Sequence, residues 1–100
     1  MPYHYALADH GRTLATRPLG EALRADLVQR AGGKSEVVLD FSDIRSTSHS
    51  FADEFVAEIV EETNRGTLRF EVSVFGATEE VERVVRRALE RRGLDVPVLV

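Results

Sequence analysis

Three segments of the chain carry apolar residues at helical spacing, and the short apolar runs between them alternate with a period of two. Leu19, Ala22, Leu23, Leu27 and Val28 recur three and four residues apart. This predicts a helix near residues 18–31, with Pro18 in its first turn and Gly32-Gly33 closing it. Ala52, Phe55, Val56, Ile59 and Val60 form the apolar stripe of a second helix near residues 50–63. Ser50 reads as its N-cap, with Asp53 three residues on in a capping-box-like arrangement. Val81, Val84, Val85, Ala88 and Leu89 make the stripe of a third helix near residues 79–92. Thr78 caps it, Glu79 and Glu80 suit its positive end, and Gly93 stops it.

Strands are predicted near residues 4–8, 36–41 and 69–75. Tyr3, Tyr5 and Leu7 share one face of the first, Val37, Leu39 and Phe41 one face of the second, and Phe70, Val72 and Val74 one face of the third. The opposite faces carry His4, Ala6, Val38, Asp40, Glu71 and Ser73, a more polar set. His10-Gly11 makes a turn, and residues 12–16 are a short returning strand or a loop. Residues 96–100 form a final short strand, which Pro97 confines to an edge. Strands alternating with helices imply parallel pairing through right-handed crossovers. The expected architecture is one α/β domain over residues 1–100. It has a mixed or parallel sheet of about four strands, and three helices lie mostly on one face. The polar face is left to solvent or to a partner.

Composition narrows the function classes. Hydrophobic residues are 43% and charged residues 30%, the profile of a globular domain with its own core. The chain has no cysteine, which removes disulfides, thiolate nucleophiles and cysteine-based zinc sites, and fits a reducing cytoplasm. No apolar run is long enough to span a bilayer, and no signal peptide is evident. A net charge of −4 argues against a nucleic-acid backbone as the main partner. Phosphate-loop, zinc-type histidine, nucleophile-elbow and dinucleotide motifs are all missing. Gly32-Gly33-Lys34-Ser35 follows a helix and precedes a strand, the wrong context for a phosphate loop.

The candidate chemistry lies in the run from Val37 to Glu54: an apolar strand, a hydroxyl-rich turn (Ser46-Thr47-Ser48-His49-Ser50) and the start of the second helix. The first amide groups of a helix lack internal partners and attract anions or capping side chains. Asp40 reads either as orienting this turn by accepting backbone N–H bonds or as a polar position on the sheet. Arg17 reads as pairing with a carboxylate of a neighbouring turn or as contacting an anionic partner. A chemical role for His49 needs a second group, and neither His4 nor His10 has ligand spacing with it, so neither a metal nor a cofactor is expected. Charge is segregated. The second helix carries Asp53, Glu54, Glu58, Glu61 and Glu62 and no basic residue, while the last carries Arg83, Arg86, Arg87, Arg91 and Arg92. Glu58 and Glu61 are expected to face solvent. No aromatic residue interleaves with those arginines, as single-stranded nucleic-acid binding would want.

Leu39-Asp40-Phe41, Ile44 and Ser48-His49-Ser50-Phe51-Ala52-Asp53-Glu54, with Thr16-Arg17 ahead of the first helix, resemble the core of a STAS-like domain. The similarity is to the small stand-alone bacterial type of unassigned function, related to anti-sigma-factor antagonists, and runs roughly from residue 13 to residue 92. In regulatory STAS domains a serine or threonine at this turn accepts a phosphate from a partner kinase, and the added charge blocks binding. Alignment on Asp40-Phe41-Ser42 puts Ser48 where the antagonists carry aspartate. His49 falls on their phosphorylated serine, Ser50 on the next hydroxyl residue and Phe51 on their glycine. Ser48 and Ser50 are therefore the candidate acceptors.

The resemblance implies a non-enzymatic cytoplasmic interaction module acting with a histidine-kinase-like ATPase. Its contact surface would comprise Ser48, His49 and Ser50, with Arg17, Asp53, Glu54 and Glu58 beside them. The rival is an enzyme or enzyme subunit in which His49, a turn serine and Arg17 converge on an anion. A third reading is a homo-oligomer built on the polar face of the sheet.

Overall fold

The computed structural model describes residues 1–99. Four parallel strands form the sheet in the order β1-β3-β5-β6: β1 (Tyr3–Ala6), β3 (Glu36–Asp40), β5 (Glu71–Phe75) and β6 (Val98–Leu99). The expected last strand thus exists and is an edge strand; Val100 lies outside the described residues. A separate two-stranded parallel sheet joins β2 (Thr13–Leu14) to β4 (Ser46–Thr47). Residues 12–16 therefore do not return along β1. They pair with a segment more than thirty positions later, a contact that local alternation cannot reveal.

The helices are α1 (Arg17–Arg30), a continuous second helix and α4 (Glu79–Glu90). The second helix has three stretches: α2 (His49–Ala52), a π-helical turn (Asp53–Ala57) and α3 (Glu58–Asn64). Buried residues of all three helices and the Tyr5, Val37, Leu39, Val72 and Val74 side of the sheet make one apolar core. Val38 is buried but stands outside that cluster, on the other face. The helices thus cover one face of the sheet.

Two expectations about apolar stripes need correction. Leu7 is fully buried but sits in a 3-10 turn (Leu7–His10) and not in β1. Along α1 the buried positions are Gly20, Leu23 and Leu27, while Ala22 and Val28 are exposed. The reason is Gly20. A Cβ there would lie 3.1 Å from Glu54 Cβ and 3.2 Å from the Phe51 carbonyl oxygen. The missing side chain lets α1 press backbone to backbone on the second helix, and this contact rotates the buried stripe.

Candidate functional site

The β2–β4 pair builds the site. Arg45 N–H donates to Arg12 O at 2.8 Å and Ser48 N–H to Leu14 O at 3.0 Å, extending the ladder at both ends. The ladder holds Ser48 extended (φ −93°, ψ 161°), the backbone an N-cap requires. Its Oγ accepts from Phe51 N–H at 3.0 Å and donates to Ala15 O at 2.8 Å. Ser48 is therefore the cap, and Ser50, expected in that role, lies exposed inside the first helical turn. Both serines suit the sequence pattern, but only Ser48 continues the strand ladder. Thr16 caps α1 in the same way, accepting from Leu19 N–H at 3.2 Å, and Thr78 caps α4 as expected, accepting from Val81 N–H at 3.2 Å.

Because β2 and β4 are parallel neighbours, each running directly into a helix, the starts of α1 and α2 lie side by side. Thr16 and Arg17 belong to one start, Ser48, His49 and Ser50 to the other. The site thus joins the two groups of residues on one surface. His49 is half-buried, and its Nδ1 is buried with no hydrogen-bond partner.

The acidic helix is not the bare charged face its composition suggests. Arg17 Nη1 donates to Asp53 Oδ2 at 2.9 Å and Glu54 Oε1 at 3.1 Å. Arg24 Nη2 donates to Glu54 Oε2 at 2.7 Å. From just past α4, Arg92 donates through Nε to Asp53 Oδ1 at 2.9 Å and through Nη1 to Glu58 Oε2 at 3.1 Å. Glu61 pairs with Arg65 at 2.8 Å and lies 3.6 Å from Arg92. The expectation that Glu58 and Glu61 face solvent is therefore corrected: both are half-buried and paired with Arg92, Glu61 also with Arg65, while Arg17 and Arg24 of α1 hold Asp53 and Glu54. Of the two readings of Arg17, the structure shows the ion pair.

The π turn explains the geometry of these arginines. Its widened ring, with Glu58 N–H reaching back to Asp53 O, displaces backbone carbonyls from their ordinary partners. Arg24 Nε donates to Glu54 O at 3.2 Å and Arg92 Nη2 reaches Asp53 O at 3.4 Å. The arginines thus satisfy backbone and side-chain acceptors together. The Arg92 bond is the chief cause holding the Asp53 carboxyl below the usual carboxylate range, with Arg17 adding to it. Burial pulls Glu54 upward, but the bonds from Arg24 and Arg17 outweigh it and leave this carboxyl lowered too.

Asp40 does orient the turn after β3. Its Oδ1 accepts from Ser42 N–H at 2.9 Å, Ile44 N–H closes onto Phe41 O at 3.1 Å, and Asp43 adopts a left-handed φ of 67°. Gly76, with φ 80°, packs so closely on Asp40 and Ser42 that a Cβ would collide with Ser42 Oγ. This corner is closely packed. One groove lies at the start of β3 and β5 and another along β1.

Residues 20–82 match the family described as a STAS-like domain of unknown function (DUF4325). The chain belongs to this STAS-like family. No curated protein and no solved structure gives a significant match. The matched span of the STAS-like domain contains Asp40 and the whole Ser48–Glu54 turn and helix start. It also contains Gly20 and Arg24 and leaves out Arg17 and Arg92. Sequence reasoning reaches the Arg17 ion pair but misses Gly20 and Arg24 and takes Arg92 only as one of the last helix's arginines. A glycine inside a helix and an all-acidic helix lacking its own cations were the signals available for them. Among the described residues no helix is long and apolar enough to cross a membrane.

Proposed function

We propose that this STAS-like domain is a cytoplasmic protein-interaction module in a regulatory switch, with a histidine-kinase-like ATPase as partner, and is not itself a catalyst. The observation that carries this reading is the pairing of the two helix starts, which offers Thr16, Arg17, Ser48, His49 and Ser50 as one continuous surface. Within that surface Ser48 Oγ already serves Phe51 N–H and Ala15 O. Ser50, two residues later, is exposed, so it is the hydroxyl open to a kinase. A phosphate there would add about two negative charges and three acceptor oxygens beside the half-exposed Arg17, altering the docking surface without dismantling the cap. The rival anion-processing site would need Arg17, His49 and a serine to converge. Arg17 is instead turned to Asp53 and Glu54, which supports the binding reading.

Affinity capture of the tagged protein from its native cells, with mass spectrometry of both partner and phosphosites, tests the proposal. The expected result is an ATPase of the histidine-kinase type and phosphate on Ser50. A protein that retains no partner and carries no phosphate, or that turns over a small anion when purified, would contradict it.

A further inference from the structure

Arg17 is held in a way that leaves it replaceable. Its Nη1 donates to one oxygen of Asp53, Oδ2, and to one of Glu54, Oε1. The other oxygen of each carboxylate has an arginine of its own: Arg92 Nε holds Asp53 Oδ1 and Arg24 Nη2 holds Glu54 Oε2. Both acids therefore stay paired when Arg17 leaves. Arg17 is also the most solvated of the three, with 47% of its side chain exposed against 23% for Arg24 and 22% for Arg92. An ion pair this open to water contributes little to stability.

Ser50 stands over the same arginine. Successive residues of a helix are about 100° apart around its axis. Ser50 is therefore one turn ahead of Asp53 and Glu54, and its direction falls between theirs. Arg17 bridges those two acids, so it lies on the line that Ser50 continues toward the helix start. The packing of α1 agrees: Gly20, one turn after Arg17, abuts the Phe51 carbonyl oxygen and Glu54 Cβ. Arg92 joins Asp53 to Glu58, further along the helix and away from Ser50. A dianion on Ser50 would be repelled by Asp53 and Glu54 unless a cation stood between them, and Arg17 is the cation so placed.

On the kinase reading above, on which this rests, we infer that Arg17 is the receptor for a phosphate on Ser50 and exchanges Asp53 and Glu54 for it. In the transfer the terminal phosphoryl group of ATP bonds to Ser50 Oγ, its bond to ADP breaks, and the hydroxyl proton leaves to a base of the kinase or to water. The phosphate then offers three acceptor oxygens to a planar guanidinium. Arg92 and Arg24 keep Asp53 and Glu54, so the contact of α1 with the second helix stays closed. The exchange rewrites the charge of the paired helix starts and leaves the core as it was.

Phosphoserine encoded at position 50 of the full chain tests the exchange without any kinase. Phosphorus NMR follows the second ionisation of the phosphate, ordinarily near about pH 6. A bound guanidinium favours the dianion. The midpoint should therefore lie about 0.5 pH unit or more below that of the same phosphorylated chain carrying Arg17→Met. The Arg17 Nε–H resonance should move with the phosphate's own midpoint. Without phosphate, Arg17→Met should keep a urea midpoint near that of the unaltered chain and above that of Arg92→Met. Equal phosphate midpoints with and without Arg17 would overturn the inference. So would an Arg17 resonance that does not follow the titration, or an Arg17→Met chain as destabilised as Arg92→Met. Chains from native cells that carry no phosphate on Ser50 would overturn the kinase reading, whereas the titration decides the arginine exchange on its own.

Discussion

Two serines two residues apart have different roles, and each makes a prediction. Ser48→Ala removes the oxygen that caps Phe51 N–H and the hydroxyl that ties the helix start to Ala15 O. It should cost about 0.5–2 kcal/mol. Ser50→Ala should leave the urea midpoint nearly unchanged, since exposed positions free of such features shift stability little. Equal effects, or the reverse order, would show that the helix begins later than His49. Gly20 gives a second residue-scale test. Intrinsic propensity predicts that alanine in a helix interior gains about 1 kcal/mol over glycine. Here the added methyl meets Glu54 Cβ and the Phe51 carbonyl, so Gly20→Ala should instead destabilise by about 1–3 kcal/mol in a denaturation series. The sequence shows that a glycine is present. It does not show that a second helix crosses there.

At the scale of elements, the three helices and the three principal strands were legible because their apolar stripes have clean periods. Val37, Leu39, Phe55, Val56, Val81 and Val85 are all in the core where periodicity puts them. The β2–β4 pair was not legible, since two residues per strand carry no period. The ion-pair network was not legible either, because it links α1, the π turn and the end of α4 across distant positions. That network should be read in acid. Asp53 and Glu54 are held below their ordinary range in the folded chain, so the unfolded chain binds more protons as pH falls. Their stabilisation is complete above the unfolded carboxylate values of about 4 and is lost as pH drops through the lower folded values. Urea midpoints measured from about pH 6 down to about pH 2.5 should therefore fall. Arg92→Met should lower the neutral-pH stability by about 1–2 kcal/mol, a modest figure because the pairs are partly solvated. It should also flatten the acid limb, since Arg92 is the main cause of the Asp53 shift. An acid limb identical in both proteins would mean that other carboxylates govern it.

For the whole molecule, the arrangement separates three surfaces. The paired helix starts lie beside the β2–β4 sheet, the open edge of β1 bounds the main sheet, and the outer face carries His4, Val38, Glu71 and Ser73. The acidic helix, which charge alone suggested as a binding face, is instead the element around which Arg17, Arg24 and Arg92 close the fold. The helix starts are therefore the proposed partner surface, and the outer sheet face is the alternative against which this proposal must be judged. The most direct measurement places a photo-crosslinking residue at position 50 in one protein and at position 71, on the outer face, in another, inside the native cell. The account predicts a covalent adduct with a kinase-type ATPase from position 50 and none from position 71. An adduct formed from position 71, or none from position 50, would contradict it.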